Sequence, residues 1–218
     1  MVHASNVQKK YTEDTIINLP DLHIKKGEQQ LLLGLSGSGK TTILHILAGL
    51  LKPTDGKVMI ERTDIYQLPE MERDRFRGRH IGIVFQQLHL LPALTVMENV
   101  LLAQYMANKN QDEQHIRKLL KDLDIVDKAS SYPQELSHGQ AQRASIARAV
   151  VNGPGLLLAD EPTSNLDDLR SERVLELLEM QAQKHDAALI IATHDQRIKD
   201  KFPSSITLEQ LKPTVTQE

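Results

Sequence analysis

Two short stretches of this chain combine residue types that hold and split phosphate esters. Gly34-Leu35-Ser36-Gly37-Ser38-Gly39-Lys40-Thr41 fits the phosphate-loop pattern and lies between an apolar run and an apolar helical segment, where that pattern has to lie to work. Its glycines, Gly34, Gly37 and Gly39, let the backbone curl so that successive N–H groups around Ser36 and Ser38 face an anion. A helix beginning near Lys40 adds its positive end, and Lys40 adds a point charge. Thr41 supplies a hydroxyl of the kind that holds Mg²⁺, and Thr42 stands beside it at the helix start. A glycine-rich turn without ligand is the bland alternative; the Lys-Thr ending and the placement favour a nucleoside triphosphate site.

The second stretch, Leu156-Leu157-Leu158-Ala159-Asp160-Glu161, is an apolar strand ending in two carboxylates. In a parallel sheet such a strand delivers its acids to the carboxyl edge, where ligands bind. Asp160 would orient Mg²⁺ or its water, and Glu161, one residue further on, would polarise a water attacking the γ-phosphate. Asp-Glu after a strand is by itself most often a solvated loop start; beside a phosphate loop the catalytic reading is the stronger one.

These residues need a scaffold, and the hydrophobic pattern predicts an α/β one. Residues 30–33, 81–85, 156–159 and 188–193 are apolar runs with little alternation, as in strands of a parallel sheet covered on both faces. Residues 7–11, 15–22 and 57–61 read as strands of a small antiparallel layer, with turn signals at Pro20, Lys26-Gly27 and Asp55-Gly56. Residues 112–123 place Ile116, Leu119, Leu120 and Leu123 on one helical stripe, and residues 140–151 form a second helix. The expected organisation is one domain over residues 1–218. A β layer comes from 1–26 and 57–61, a core from 27–86 and 154–218, and an inserted helical subdomain from about 87–153.

Composition narrows the function classes. At 218 residues the chain can bury a real core, and a formal net charge of −3 offers no global basic footprint, so nucleic acid is not an expected partner. It contains no cysteine, which excludes disulfides and thiolate-ligated metals and fits a reducing compartment. No apolar run is long enough to span a bilayer.

Leu136-Ser137-His138-Gly139-Gln140, followed by Ala141-Gln142-Arg143 and Ile146-Ala147-Arg148-Ala149, resembles the signature motif of ABC (ATP-binding cassette) ATPases. Gln86, Ser164-Asn165-Leu166-Asp167 and His194 follow in that family's order, so the resemblance spans nearly the whole chain. It implies a P-loop ABC-type nucleotide-binding fold with ATP and Mg²⁺ as ligands. It also implies two cassettes paired head to tail, so that Ser137, Gly139 and Gln140 of one close on the γ-phosphate held by Lys40 of the other. By the same resemblance Gln86 serves Mg²⁺ and the attacking water, Asp167 the subunit contact, His194 the γ-phosphate, and Tyr11 stacks on adenine. Ser137 is independently readable as a helix N-cap, a second anion-binding helix start. One departure stands out: His138 occupies a position where the family usually has glycine; the imidazole either points into solvent, the favoured reading, or places a titratable charge near the γ-phosphate, which would make closure or hydrolysis more pH-dependent.

Ile81-Gly82-Ile83-Val84-Phe85-Gln86, Leu90-Leu91-Pro92, Leu94-Thr95-Val96 and Glu98-Asn99-Val100 resemble the subgroup serving lipoprotein release, macrolide efflux and bacterial cell division. That likeness implies an ATPase coupled to an integral-membrane permease, paired with an identical or related cassette. It would work peripherally on the cytoplasmic face of a bacterial inner membrane. The alternatives are an ATP-gated switch or scaffold of a membrane complex with slow hydrolysis, a soluble ABC ATPase of DNA repair or translation, and a small-molecule kinase. Apolar residues 88–94 are a candidate permease-docking surface, with core packing as the other reading.

Overall fold

The computed structural model describes residues 1–12, 15–164 and 166–208; Asn165 of the stretch 164–167 lies outside them. The chain opens with strand β1 (Val2–Lys10), followed by β2 (Ile16–Asn18), β3 (Leu22–Ile24) and β4 (Gln29–Leu33). Helix α1 (Lys40–Leu47), strands β5 (Asp55–Ile60) and β6 (Thr63–Asp64), helix α2 (Glu70–His80) and strand β7 (Ile81–Val84) come next. Helices α3 (Val96–Met106), α4 (Glu113–Asp122) and α5 (His138–Val150) separate β7 from β8 (Leu156–Asp160). Helix α6 (Asp168–Lys184), β9 (Ala188–Thr193) and β10 (Ser205–Thr207) complete the order.

Two sheets result. In the first, β1 pairs antiparallel with β2, β3 and β5, and β5 pairs with β6. The second is parallel throughout in the order β10-β4-β9-β8-β7. Its registers set Leu33 beside Thr193, Asp160 beside Ala192, and Val84 beside Ala159. The carboxyl ends of β4, β7, β8 and β9 therefore reach one edge together.

The missing alternation in the apolar runs has a direct cause. Leu31, Leu33, Leu157, Ala159, Leu189 and Ile191 face a core shared with α3 to α6. Leu32, Leu156, Leu158, Ile190 and Ala192 face a second core shared with α1 and the antiparallel sheet. Both faces of every central strand are dry, so both sets must be apolar. On α4 the expected stripe of Ile116, Leu119, Leu120 and Leu123 is buried, with Asp112 capping the helix through the His115 amide.

The structure corrects several element bounds. The run 15–22 is two short strands because Pro20 offers no N–H to a ladder. The first strand begins at Val2 rather than at residue 7, where it pairs with both β3 and β5. The third strand of that layer runs from Asp55 and stops before Glu61, whose φ is +48°. α5 starts at His138, before residue 140, because Ser137 caps it. Helices α2 and α6 and strand β10 carry no expectation above. In α2 the charged residues obscure the period, and in β10 three residues are too few for one.

The seat of α5 on β7 depends on Gly82. A Cβ there would lie 2.4 Å from the Ala149 carbonyl oxygen and 3.0 Å from Leu157 Cδ1. Backbone cannot yield as a side-chain tip does, so helix and strand would have to separate. Gly82→Ala is expected to destabilise the protein by about 2 kcal/mol, read as a lower urea midpoint with an unchanged slope.

Candidate nucleotide-binding and hydrolysis site

Residues 34–42 form the turn from β4 into α1. Gly34 is buried and cannot carry a side chain, since a Cβ would sit 2.4 Å from Ser38 Oγ. Gly39 adopts φ +92°, a left-handed conformation that glycine takes without strain. Ser36 and Gly37 are exposed at the crown of the loop, and Ser38 is buried with no partner for its hydroxyl. Among the described residues, the backbone N–H groups of Gly37, Gly39, Lys40 and Thr41 find no acceptor. Unsatisfied donors at a helix start make an anion site, and the helix dipole reinforces it. Lys40 is buried and donates to the carbonyls of Gly34 at 2.8 Å and Leu35 at 3.1 Å.

The same ammonium meets the acidic end of β8: Lys40 Nζ lies 3.2 Å from Glu161 Oε1. The other carboxylate oxygen, Oε2, accepts from Thr193 Oγ1 at 3.1 Å, from His194 Nδ1 at 2.9 Å and from the His194 amide at 3.4 Å. An ionised carboxylate only accepts, so this contact draws the imidazole proton to Nδ1 and leaves Nε2 as the second functional nitrogen of a half-exposed ring. Glu161 has φ +46°, a strained value for a residue with a side chain, stabilised by its amide bond to the Ala192 carbonyl. Strain of this sort is concentrated where a side chain must be aimed.

Asp160 is buried beside this cluster. Desolvation raises its pKa above the ordinary carboxylate value. A hydrogen bond from Thr41 works against that, and the charge of Glu161 adds to it. Its Oδ1 has no hydrogen-bond partner.

The remaining predicted residues lie at four places around this cluster. Tyr11 is exposed, and its hydroxyl lies 3.1 Å from the Thr42 hydroxyl, which places its ring beside the first turn of α1. Gln86 follows β7 and, with His138, Gln142, Glu161, Pro162 and Ser164, lines a cleft of about 300 Å³. Ser137, His138 and Gly139 are exposed at the start of α5. Ser137 and Gln140 form a reciprocal cap: Gln140 N–H donates to Ser137 Oγ at 3.3 Å, and Ser137 N–H to Gln140 Oε1 at 2.9 Å. No hydrogen bond or ion pair among the described residues links Ser137, Gly139 or Gln140 to the phosphate loop of the same chain. Asp167 caps α6 through the Arg170 amide.

The ABC transporter family matches residues 17–164. The chain is 39% identical over 211 residues to a lipoprotein-releasing system ATP-binding protein LolD of Francisella tularensis, covering 93% of this chain and 90% of that protein. It is 37% identical over 222 residues to the ABC transporter ATP-binding protein YtrE of Bacillus subtilis, covering 99% and 96%. Its fold superposes on the dimeric bacterial ABC transporter cassette MJ0796 with a TM-score of 0.86 at 34% identity, covering 98% of this chain and 97% of that one. A post-hydrolysis dimer of the same cassette, bound to ADP and Pi, gives 0.85 at 35%.

The chain belongs to the ABC transporter family. It is an ATP-binding subunit of cassette fold, and no helix among the described residues is long and apolar enough to cross a membrane. The residues at its sheet edge also fit Mg²⁺. This ion keeps several waters and takes one or two protein oxygens beside phosphates, and Asp160 offers a buried, unpartnered oxygen next to the Thr41 hydroxyl.

Three residues with evident structural roles escaped sequence reasoning. Asn99, 1% exposed, binds the Leu91 amide and the carbonyls of Leu91, Leu94 and Thr95, and so shapes the loop ahead of α3. Gln142 and Arg148 reach from α5 to other segments. Their signal was a polar residue on an otherwise apolar helix face, which spacing shows but cannot assign a partner. The apolar segment 88–94 divides: Leu90 packs on the core, whereas Leu91 is 45% exposed.

Burial of Asp160 generates a pH-dependent expectation. Because its folded-state pKa is raised, the ionised carboxylate costs stability at neutral pH and costs nothing once it is protonated in both states. Asp160→Asn should therefore raise the thermal midpoint at neutral pH, measured without nucleotide, and that gain should vanish as pH falls through the carboxylate range. The same variant should lose Mg²⁺-dependent nucleotide binding, a conflict between stability and site chemistry.

Proposed function

We propose that this chain hydrolyses ATP and drives a membrane transport or extrusion complex, of the kind in which cassette closure is passed on as mechanical motion. The observation that carries the reading is the placement of Glu161, held on one side by Lys40 and on the other by Thr193 and His194, at the edge where Asp160 and Thr41 meet. Catalysis of phosphoryl transfer is almost entirely positioning and charge stabilisation, and this arrangement supplies both.

In this reading the free amides of the phosphate loop and Lys40 hold the β- and γ-phosphates, and Tyr11 supports the base. Thr41, Asp160 and Gln86 would hold Mg²⁺, which would neutralise charge developing on the phosphates. Glu161 orients the attacking water as general base. When phosphate draws Lys40 away, Glu161 is left paired with Thr193 and His194, so its carboxylate keeps its aim. His194 uses the nitrogen opposite its bond to Glu161 to stabilise the γ-phosphate. Ser137, Gly139 and Gln140 close on the nucleotide of a second cassette; the exposure of Ser137 and Gly139 at the open start of α5 supports a site completed in trans.

The partners that fit are an integral-membrane permease at exposed residues 91–93 and a second copy or relative of this chain. The setting that fits is the cytoplasmic face of a bacterial inner membrane. The likeness to a lipoprotein-releasing subunit supports lipoprotein, lipid or drug extrusion as the work performed.

Steady-state ATPase assays with gel filtration test this. The native chain should turn over ATP only with Mg²⁺. Glu161→Gln should lower turnover by about a hundredfold or more while forming an ATP-dependent dimer, and Lys40→Ala should lose both turnover and dimer. ATP-dependent dimerisation without turnover by the native chain would replace the motor with a nucleotide-gated switch; neither dimer nor turnover would remove the proposal.

A further inference from the structure

Helix α5 spends two polar side chains on backbone carbonyls of other segments. Gln142, 3% exposed, donates Nε2 to the Pro162 carbonyl at 2.5 Å, one residue beyond Glu161. Further along the helix, Arg148 donates Nη2 to the Leu88 carbonyl at 2.7 Å and Nη1 to the His89 carbonyl, both in the segment that Gln86 opens. Neither arrangement is incidental packing. Arg148 is partly buried, its desolvation lowers its pKa, and no carboxylate forms an ion pair with it among the described residues. The guanidinium remains charged where it is partly withdrawn from water, and its two carbonyls offset part of that loss. Gln142 is held by its amide nitrogen alone, because its Oε1 is buried with no partner. Gln142 also lines the cleft that holds Gln86, His138 and Glu161.

The loops held in this way need holding. Glu161 sits at φ +46°, so the chain after it cannot relax into an ordinary turn without swinging the carboxylate. The 86–90 segment leaves β7 with Gln86 and Gln87 exposed; Leu90 packs on the core at its far end and the His89 ring meets Phe85 edge-on, so the backbone between is held chiefly by the Arg148 fork. The opposite end of α5 is the exposed start at Ser137 to Gly139, so one rigid rod joins the signature to both loops.

We propose that Gln142 and Arg148 are positioning residues for hydrolysis. Gln142 fixes the loop of Glu161, Arg148 fixes the loop of Gln86, and displacement of the signature end of α5 reaches both loops of its own chain through them. The inference rests on the ATPase reading above. It adds a physical link in cis between the end of α5 that would serve a partner's nucleotide and the groups that would act on the chain's own.

The test uses Gln142→Met, which keeps length and volume but removes the donor, and Arg148→Lys, which keeps the charge but not the fork. Without nucleotide, amide hydrogen exchange should quicken at residues 163–164 in the first and at 86–90 in the second, with the phosphate loop unchanged. With ATP and Mg²⁺, kcat should fall between about ten- and a hundredfold in each, with KM for ATP nearly unmoved and the thermal midpoint lowered by no more than the few degrees that one unpaired carbonyl costs. Epistasis separates positioning from general weakening. In a Glu161→Gln background Gln142→Met should cost nothing further, and in a Gln86→Ala background Arg148→Lys should cost nothing further. Losses that multiply, or ATP affinity falling in step with kcat, overturn the proposal and leave the ATPase reading intact. A native chain that neither binds nor hydrolyses ATP overturns that reading first. Should Gln142→Met fail to fold, the same measurements are read on Gln142→Leu.

Discussion

Parallel strands whose two faces are both buried have no freedom to send their ends in different directions, and that constraint organises this molecule. The registers of β4, β7, β8 and β9 are fixed by two separate cores, so a slip of one residue in any strand would exchange its apolar sets between them. With the registers fixed, Gly34, Gln86, Asp160, Glu161 and His194 emerge from four strands at one edge. The chemistry follows from this convergence. A lysine from the turn after one strand meets a carboxylate from the end of another, and a histidine from a third strand meets the same carboxylate from the far side.

The Lys40–Glu161 pair illustrates how such an edge is tuned. Two buried opposite charges 3.2 Å apart are not a dependable source of stability, because desolvation offsets most of the attraction. Here each charge is further supported by neutral or polar partners, Lys40 by two carbonyls and Glu161 by Thr193 and His194. Lys40 can then be drawn away by phosphate without leaving Glu161 wholly uncompensated. Asp160 has the Thr41 hydroxyl alone, with an orphaned oxygen and a raised pKa, and so stands as the group with most to gain from a cation.

Helix α5 is the second organising element. Its packing on β7 is close enough to forbid a side chain at Gly82, and its start is capped by Ser137 and Gln140 rather than buried. A helix that is rigidly seated along its body and open at its beginning suits contact with something outside the chain. His138 belongs to that open end, yet it also borders the cleft that contains Gln86 and Glu161. The position where the family usually carries glycine therefore places an imidazole between the exposed signature and the interior of the site.

The phosphate loop and the acidic strand end were legible from sequence because each is a local pattern, made of residue type and spacing within one segment. The parallel sheet was legible because double burial leaves a run with no alternation, and the stripe of α4 because helix periodicity is local too. Asn165 of the stretch 164–167 lies outside the described residues, so its place is untouched by the structure. What no local pattern could decide was which distant backbone atoms a side chain would meet. Gln142 and Pro162, Arg148 and Leu88, Glu161 and His194 are separated by long stretches of chain, and their pairing exists only once the sheet registers and the seat of α5 on β7 are set. The sequence by itself determined the chemical groups and the elements that carry them. Tertiary structure decided their partners, because long-range contacts depend on how separate elements pack and not on any period within them.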